Sequence, residues 1–75
     1  MTLNEFVTAF AAEFDDTPAT EFKVDTKYRQ LDEWSSLTAL SIISMVDEQV
    51  GKSITGADIR SAETIEDLYN LIQAK

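Results

Sequence analysis

The first part of the chain alternates apolar and polar residues with the period of an α-helix. Apolar residues recur three or four positions apart, and so they form one stripe on a helix of about three turns: Leu3, Phe6, Val7, Phe10, Ala11 and Phe14. Thr2 stands three residues before Glu5, which is the spacing of a capping box. Pro18 follows shortly after the last periodic residue and disfavours further helix. The pattern predicts a first helix over residues 2–14.

Residues 15–34 show no helical period and contain no glycine. Large apolar residues are nevertheless spread along this segment: Phe22, Val24, Tyr28, Leu31 and Trp34. A disordered linker is poor in such residues, because it has no core to bury them in. We therefore predict a long, ordered loop held to the core by apolar anchors, with one helical turn near residues 26–30.

A second helix is predicted over residues 36–50. Its buried stripe follows the spacing i, i+3, i+4, i+7, i+11: Ala39, Ile42, Ile43, Val46 and Val50. Ser35 or Ser36 stands at the position of the N-cap, and Gly51 stands where a left-handed residue ends a helix.

Two further capping-box pairs, Thr55 with Asp58 and Thr64 with Asp67, follow in the last third of the chain. The first pair begins a very short segment that buries Ile59. The second begins a last helix with four inward residues: Ile65, Leu68, Tyr69 and Ile72. Three main helices, one short helix and a long first loop predict an all-α fold, a four-helix bundle forming a single domain over residues 1–75.

The composition excludes most kinds of active site. The 75 residues include no cysteine and no histidine, so thiolate metal sites and the usual general base are missing. We expect a protein without catalytic activity; a hydrolase built on carboxylates alone is the alternative, and no convergent acid pair supports it.

Fourteen acidic and six basic residues give a net charge of −8. This balance argues against a nucleic-acid partner, because phosphate binding needs clustered lysine and arginine. It favours partners with basic surfaces, although acidity also serves solubility alone. No apolar run is long enough for a membrane span, and Met1 is not followed by a secretory signal. We expect a cytoplasmic monomer.

Two leucines, Leu37 and Leu40, lie off the buried stripe of the second helix, since successive helical residues are about 100° apart. The same outer side carries four polar residues: Ser41, Ser44, Asp47 and Glu48. Apolar residues ringed by polar ones indicate a docking patch for a partner protein. The alternative is that the long loop folds back and covers the two leucines.

Ser36 stands beside this patch. With Ser35 as the cap, the Ser36 hydroxyl is left exposed in the first helical turn, where a phosphate diester would meet the positive end of the helix dipole. Helix-start serines are common, so this position alone does not identify the attached group.

The segment Glu33-Trp34-Ser35-Ser36-Leu37 and the helix after it resemble the acyl carrier protein family. The signature of that family is Asp-Ser-Leu at a helix start. The resemblance extends over essentially the whole chain, including the long first loop, a Leu31-Asp32 pair before the motif, and Asp47-Glu48 late in the second helix.

The resemblance implies that Ser36 carries 4′-phosphopantetheine, transferred from coenzyme A by a magnesium-dependent phosphopantetheinyl transferase. The thiol of this arm would hold acyl groups as thioesters and present them to acyl-transfer, condensing or other biosynthetic enzymes. The family can also shelter an acyl chain between its helices. Six residues are candidates for lining such a cavity, and each is equally an ordinary core residue: Ala39, Ile42, Ile43, Val46, Ile54 and Ile59.

Several positions depart from the family pattern. Ser35 replaces the aspartate of the signature, Trp34 is bulkier than the residues usual there, and Thr38 and Ser41 stand where fatty-acid carriers have acids. General fatty-acid synthesis and a specialised pathway, with aminoacyl or polyketide cargo, are therefore both open. So is a different class of protein: an unmodified helical adaptor that binds one basic partner through Leu37 and Leu40.

Overall fold

Four α-helices and two short 3₁₀ turns make up the protein, which we describe from a computed structural model of residues 1–75. The helices are α1 (Leu3–Ala11), α2 (Ser36–Met45), α3 (Gly56–Ser61) and α4 (Ile65–Gln73), and the 3₁₀ turns are Ala19–Glu21 and Tyr28–Gln30. There is no β-strand. The all-α class, the order of the helices and the long first loop are confirmed, and the turn at Tyr28–Gln30 lies where one was predicted.

Every helix begins with a capping box. At α1, the Thr2 hydroxyl accepts from the backbone N–H of Glu5 at 3.2 Å, and the Glu5 carboxylate accepts from the N–H of Thr2 at 2.7 Å. These bonds hold the pKa of Glu5 below its ordinary value. The other predicted pairs form in the same way, Thr55 with Asp58 at α3 and Thr64 with Asp67 at α4.

The first helix ends three residues earlier than predicted, at Ala11. After this point the N–H groups of Glu13 and Phe14 donate to carbonyls only three residues back, at 3.1 Å each. The tightened turn still delivers Phe14 to the core, which explains why the apolar stripe continues beyond the helix.

The second helix continues from Met45 into a π-helical turn, Val46–Val50. The N–H of Gly51 closes this turn by donating to the carbonyl of Val46 at 3.0 Å. Gly51 has a φ of +77°, as expected for a glycine that ends a helix in the left-handed conformation. Residues 36–50 are thus helical as predicted, with a wider last turn.

Fourteen hydrophobic residues form one buried core, and no polar side chain is buried with them. Phe6, Phe10 and Phe14 of the α1 segment pack there against one another in a row. Two predicted loop anchors, Phe22 and Tyr28, join this row. The loop is therefore ordered by aromatic packing, as its composition indicates.

The long loop is also hydrogen-bonded to the last helix. The backbone N–H groups of Ile65 and Glu66 donate to the carbonyls of Thr26 and Val24, at 3.2 and 2.9 Å. Since these donors lie in the first turn of α4, they have no partner within the helix. None of the four helices combines the length and apolarity needed to cross a bilayer.

Candidate functional site

Ser36 lies in the first turn of α2 with an exposed side chain. Ser35 is the N-cap: its hydroxyl accepts from the N–H of Thr38 at 3.4 Å, and its own N–H donates to the Thr38 hydroxyl at 2.7 Å. The Ser36 hydroxyl forms no hydrogen bond within the protein. The expected division between a capping serine and a free serine is therefore present, and the Thr38 position is explained as the second half of a capping box.

Trp34 fixes the segment that leads into α2. Its ring is 6.2 Å from that of Phe14 in a stacked arrangement and 5.2 Å from that of Tyr28. Both partners are core residues. The bulk of Trp34 thus anchors the end of the long loop, and this anchoring sets where Ser35 and Ser36 emerge.

Glu33, one residue earlier, is hydrogen-bonded to the start of the same loop. Its carboxylate accepts from the N–H groups of Asp15 and Asp16 at 2.9 and 3.1 Å, and from the Thr17 hydroxyl at 2.6 Å. The bond from Thr17, followed by those from the backbone, holds the pKa of Glu33 below its ordinary value. Glu33 therefore stabilises the loop, a role that no local sequence pattern indicates.

The predicted docking patch is exposed. Leu37 and Leu40 are 76% and 58% accessible, so the long loop does not cover them. They line a surface depression of about 390 Å³ together with most of the polar residues predicted beside them, and with three residues that the sequence did not single out. The predicted members are Ser41, Ser44 and Glu48, and the additional ones are Glu13, Met45 and Gln49. Asp47 is exposed but does not line this depression.

The six candidates for an acyl-chain cavity are not brought together around one cavity. Ile42, Val46 and Ile54 lie in the packed core and line no open space, and half-buried Ile43 packs against that core. Ala39 and Ile59 alone border a concavity, a cleft between the start of α2 and α3. In this structure the core around these residues is filled by its own side chains, and the sheltering of an acyl chain there stays a prediction.

This cleft, of about 290 Å³, lies beside Ser36 and contains both arginines of the chain. Its polar and small lining residues are Arg29, Ser35, Ser36, Gly56 and Arg60. Arg29 donates to the carbonyl of Ala62 at 2.9 Å, which ties the 3₁₀ turn to the end of α3. Sequence reasoning missed the two arginines, since they are separated by thirty-one positions and neither belongs to a motif.

The Ser36 hydroxyl is exposed and forms no hydrogen bond within the protein, and Ser36 borders an open cleft. No three potential metal ligands come together anywhere in the chain.

Comparison of the chain with protein-family models, with curated proteins and with solved structures finds no match.

Proposed function

We propose that this chain is an acyl carrier protein and that the Ser36 hydroxyl is the attachment point of 4′-phosphopantetheine. The observation that carries the proposal is the free, exposed hydroxyl of Ser36 in the first turn of α2, beside a serine that already caps the helix. The order of the helices and the long first loop, which the resemblance also involves, support the proposal.

In the modification, the Ser36 oxygen attacks the phosphorus of coenzyme A that is joined to pantetheine. An oxygen–phosphorus bond forms, the pyrophosphate bond breaks, and adenosine 3′,5′-bisphosphate leaves. The proton of Ser36 passes to a base of the transferase. The arm supplies a thiol for thioester chemistry, which the chain itself lacks.

The contribution of the protein is to present the attached group to partner enzymes. Leu37 and Leu40 offer apolar contact next to Ser36, while Glu13 and Glu48 border the same depression with negative charge. A basic enzyme surface would be steered to this side of a protein with net charge −8. The cargo is an acyl group of fatty-acid or related specialised biosynthesis, and the carrier acts as a cytoplasmic monomer.

The test is enzymatic loading. The purified protein is incubated with coenzyme A, magnesium and a broad-specificity phosphopantetheinyl transferase, and its intact mass is measured. We expect the gain of one phosphopantetheine unit, abolished in Ser36→Ala and retained in Ser35→Ala. Modification that survives Ser36→Ala would assign the arm to another residue.

A second candidate function is an adaptor that is never modified. It is favoured by the exposure of Leu37 and Leu40, which needs no arm to explain it. Absence of any mass gain in the wild type would leave this function as the better one. Binding of a basic partner that is lost in Leu37→Ser and Leu40→Ser but unaffected by Ser36→Ala would then support it.

A further inference from the structure

Both arginines beside Ser36 lack an acidic partner. The chain has fourteen acidic residues and only six basic ones, so a basic side chain has many possible partners. The ion pairs that form are nevertheless made by lysines, Lys27 with Glu63 and Lys75 with Asp58. Arg29 and Arg60 form none. Lys23 and Lys52 are also without an acidic side-chain partner, but only the two arginines line the cleft beside Ser36.

Most N–H donors of the two guanidinium groups are free of hydrogen bonds within the protein. Arg29 uses one nitrogen, Nη2, for the carbonyl of Ala62, and Arg60 forms no hydrogen bond within the protein. Arginine presents several N–H donors in a planar fork that matches phosphate oxygens. Hydrogen bonds between such charged groups are stronger than those between neutral ones.

Gly56 gives Arg60 room to lie in the cleft. A Cβ atom at position 56 would stand 3.2 Å from Nη1 of Arg60, closer than ordinary contact. The guanidinium therefore rests over the first turn of α3, on the side where Ser36 borders the same cleft. A larger residue at position 56 would displace it.

We propose that Arg29 and Arg60 bind the phosphate diester carried by Ser36 and hold the base of the arm against α3. This inference rests on the proposed attachment at Ser36. It assigns a binding role to the two arginines, in a protein whose remaining surface is mainly acidic. The clamp is electrostatic and hydrogen-bonded, and it loosens as salt concentration rises.

The experiment compares the unmodified and the phosphopantetheinylated protein by NMR. The Nε–H resonances of both arginines are recorded in ¹⁵N-labelled wild type, and the ³¹P resonance of the diester is recorded in the modified form. We expect both Nε–H resonances to shift on modification, and the ³¹P resonance to move in Arg60→Gln and Gly56→Ala. Lys23→Gln is the matched control, because it removes an exposed charge that forms no ion pair and lies outside the cleft.

Arg60→Gln is the more informative arginine variant, since Arg29 also holds the Ala62 carbonyl and its loss disturbs the fold. Unchanged Nε–H resonances on modification, or equal ³¹P shifts in Arg60→Gln and Lys23→Gln, would overturn the clamp.

A titration of the unmodified protein with inorganic phosphate separates this inference from the proposed function. If mass spectrometry shows that Ser36 takes no arm, the carrier function fails independently of the cleft. Saturable shifts of both Nε–H resonances with phosphate, absent with chloride of equal ionic strength and lost in Arg60→Gln, would still support an anion site. No shift with phosphate would refute it.

Discussion

The Tyr28 hydroxyl joins the long loop to α3 inside the core, and Tyr28→Phe removes it without removing the ring. Tyr28 is fully buried, and its hydroxyl lies 2.6 Å from the carbonyl oxygen of Ile59 and 3.2 Å from that of Ala62. Arg29 also donates to the Ala62 carbonyl, so that acceptor keeps a partner in the variant. The Ile59 carbonyl accepts no backbone N–H, so in Tyr28→Phe it has no hydrogen-bond donor left.

The loss of stability in Tyr28→Phe follows from the unsatisfied carbonyl of Ile59. Leaving such a group unsatisfied destabilises a protein by about 1–3 kcal/mol, and we expect about 2 kcal/mol here. This is a large part of the total, because a domain of this size has a free energy of unfolding of roughly 5–10 kcal/mol. The melting temperature should fall by about 10 °C, since 1 kcal/mol corresponds to about 4–8 °C in such small domains.

Alkaline pH supplies a second, independent measure of the same hydroxyl. Burial raises the pKa of Tyr28 from 10.0 to about 12. The neutral hydroxyl thus stabilises the fold fully below pH 10, and this contribution is lost as pH rises through about 12. From the two pKa values, the wild type should lose about 2 kcal/mol between about pH 9 and pH 12 beyond what Tyr28→Phe loses.

Urea unfolding followed by circular dichroism at several pH values is the assay. We expect the wild type to exceed Tyr28→Phe by about 2 kcal/mol near neutral pH, and the gap to close by about pH 12. Tyr69→Phe is the matched control, because the Tyr69 hydroxyl donates to the Met1 carbonyl at 2.7 Å at the exposed surface. Equal stability of wild type and Tyr28→Phe near neutral pH, or a gap that persists at high pH, would refute the reasoning.

Two further predictions concern the end of α2 and the hydrogen bonds of Glu33 to the loop. Gly51→Ala should lower the free energy of unfolding by about 1 kcal/mol through backbone strain at φ +77°, since a Cβ there meets no atom within 4 Å. Gly51→Asn should cost less in the same urea titration, and an equal cost would contradict the assignment of strain. Glu33→Gln should destabilise the protein most near neutral pH. The pKa of Glu33 is depressed in the folded protein, so the ionised carboxylate stabilises the fold above the ordinary pKa of 4.5. This stabilisation is lost as pH falls through the lowered pKa of the folded state. The assay is a series of melting temperatures measured at different pH values, with Asp32→Asn, at an exposed acid, as the control. If Glu33→Gln lowers the melting temperature by the same amount down to strongly acidic pH, the ionised Glu33 carboxylate does not stabilise the loop.

Much of the fold could be predicted because its signals are local. The capping boxes at Thr2, Thr55 and Thr64 link residues three positions apart, so their formation hardly depends on the rest of the chain. The left-handed Gly51 and the exposed Leu37 follow equally from position along one helix. The predicted end of α1 was wrong by three residues, because the apolar stripe continues through a tighter turn that periodicity alone does not distinguish from helix.

The space between helices, unlike the helix starts, does not follow from local signals. An apolar stripe shows which residues face the core, but whether that core is filled or hollow depends on how side chains from several helices interlock. Ile42, Val46 and Ile54 face inward as predicted and are closely packed there. The open space lies instead at the protein surface, beside Ala39 and Ile59.

The sequence by itself determined the helical class, the starts of the helices and the exposure of Ser36, because each depends on interactions within one or two helical turns. Only the tertiary structure decided that Glu33 closes the first loop and that Arg29 and Arg60 line one cleft beside Ser36. Glu33 and Thr17 are sixteen positions apart, and no local pattern encodes their contact. Such contacts arise when the aromatic core has placed the loop and the short third helix against one another.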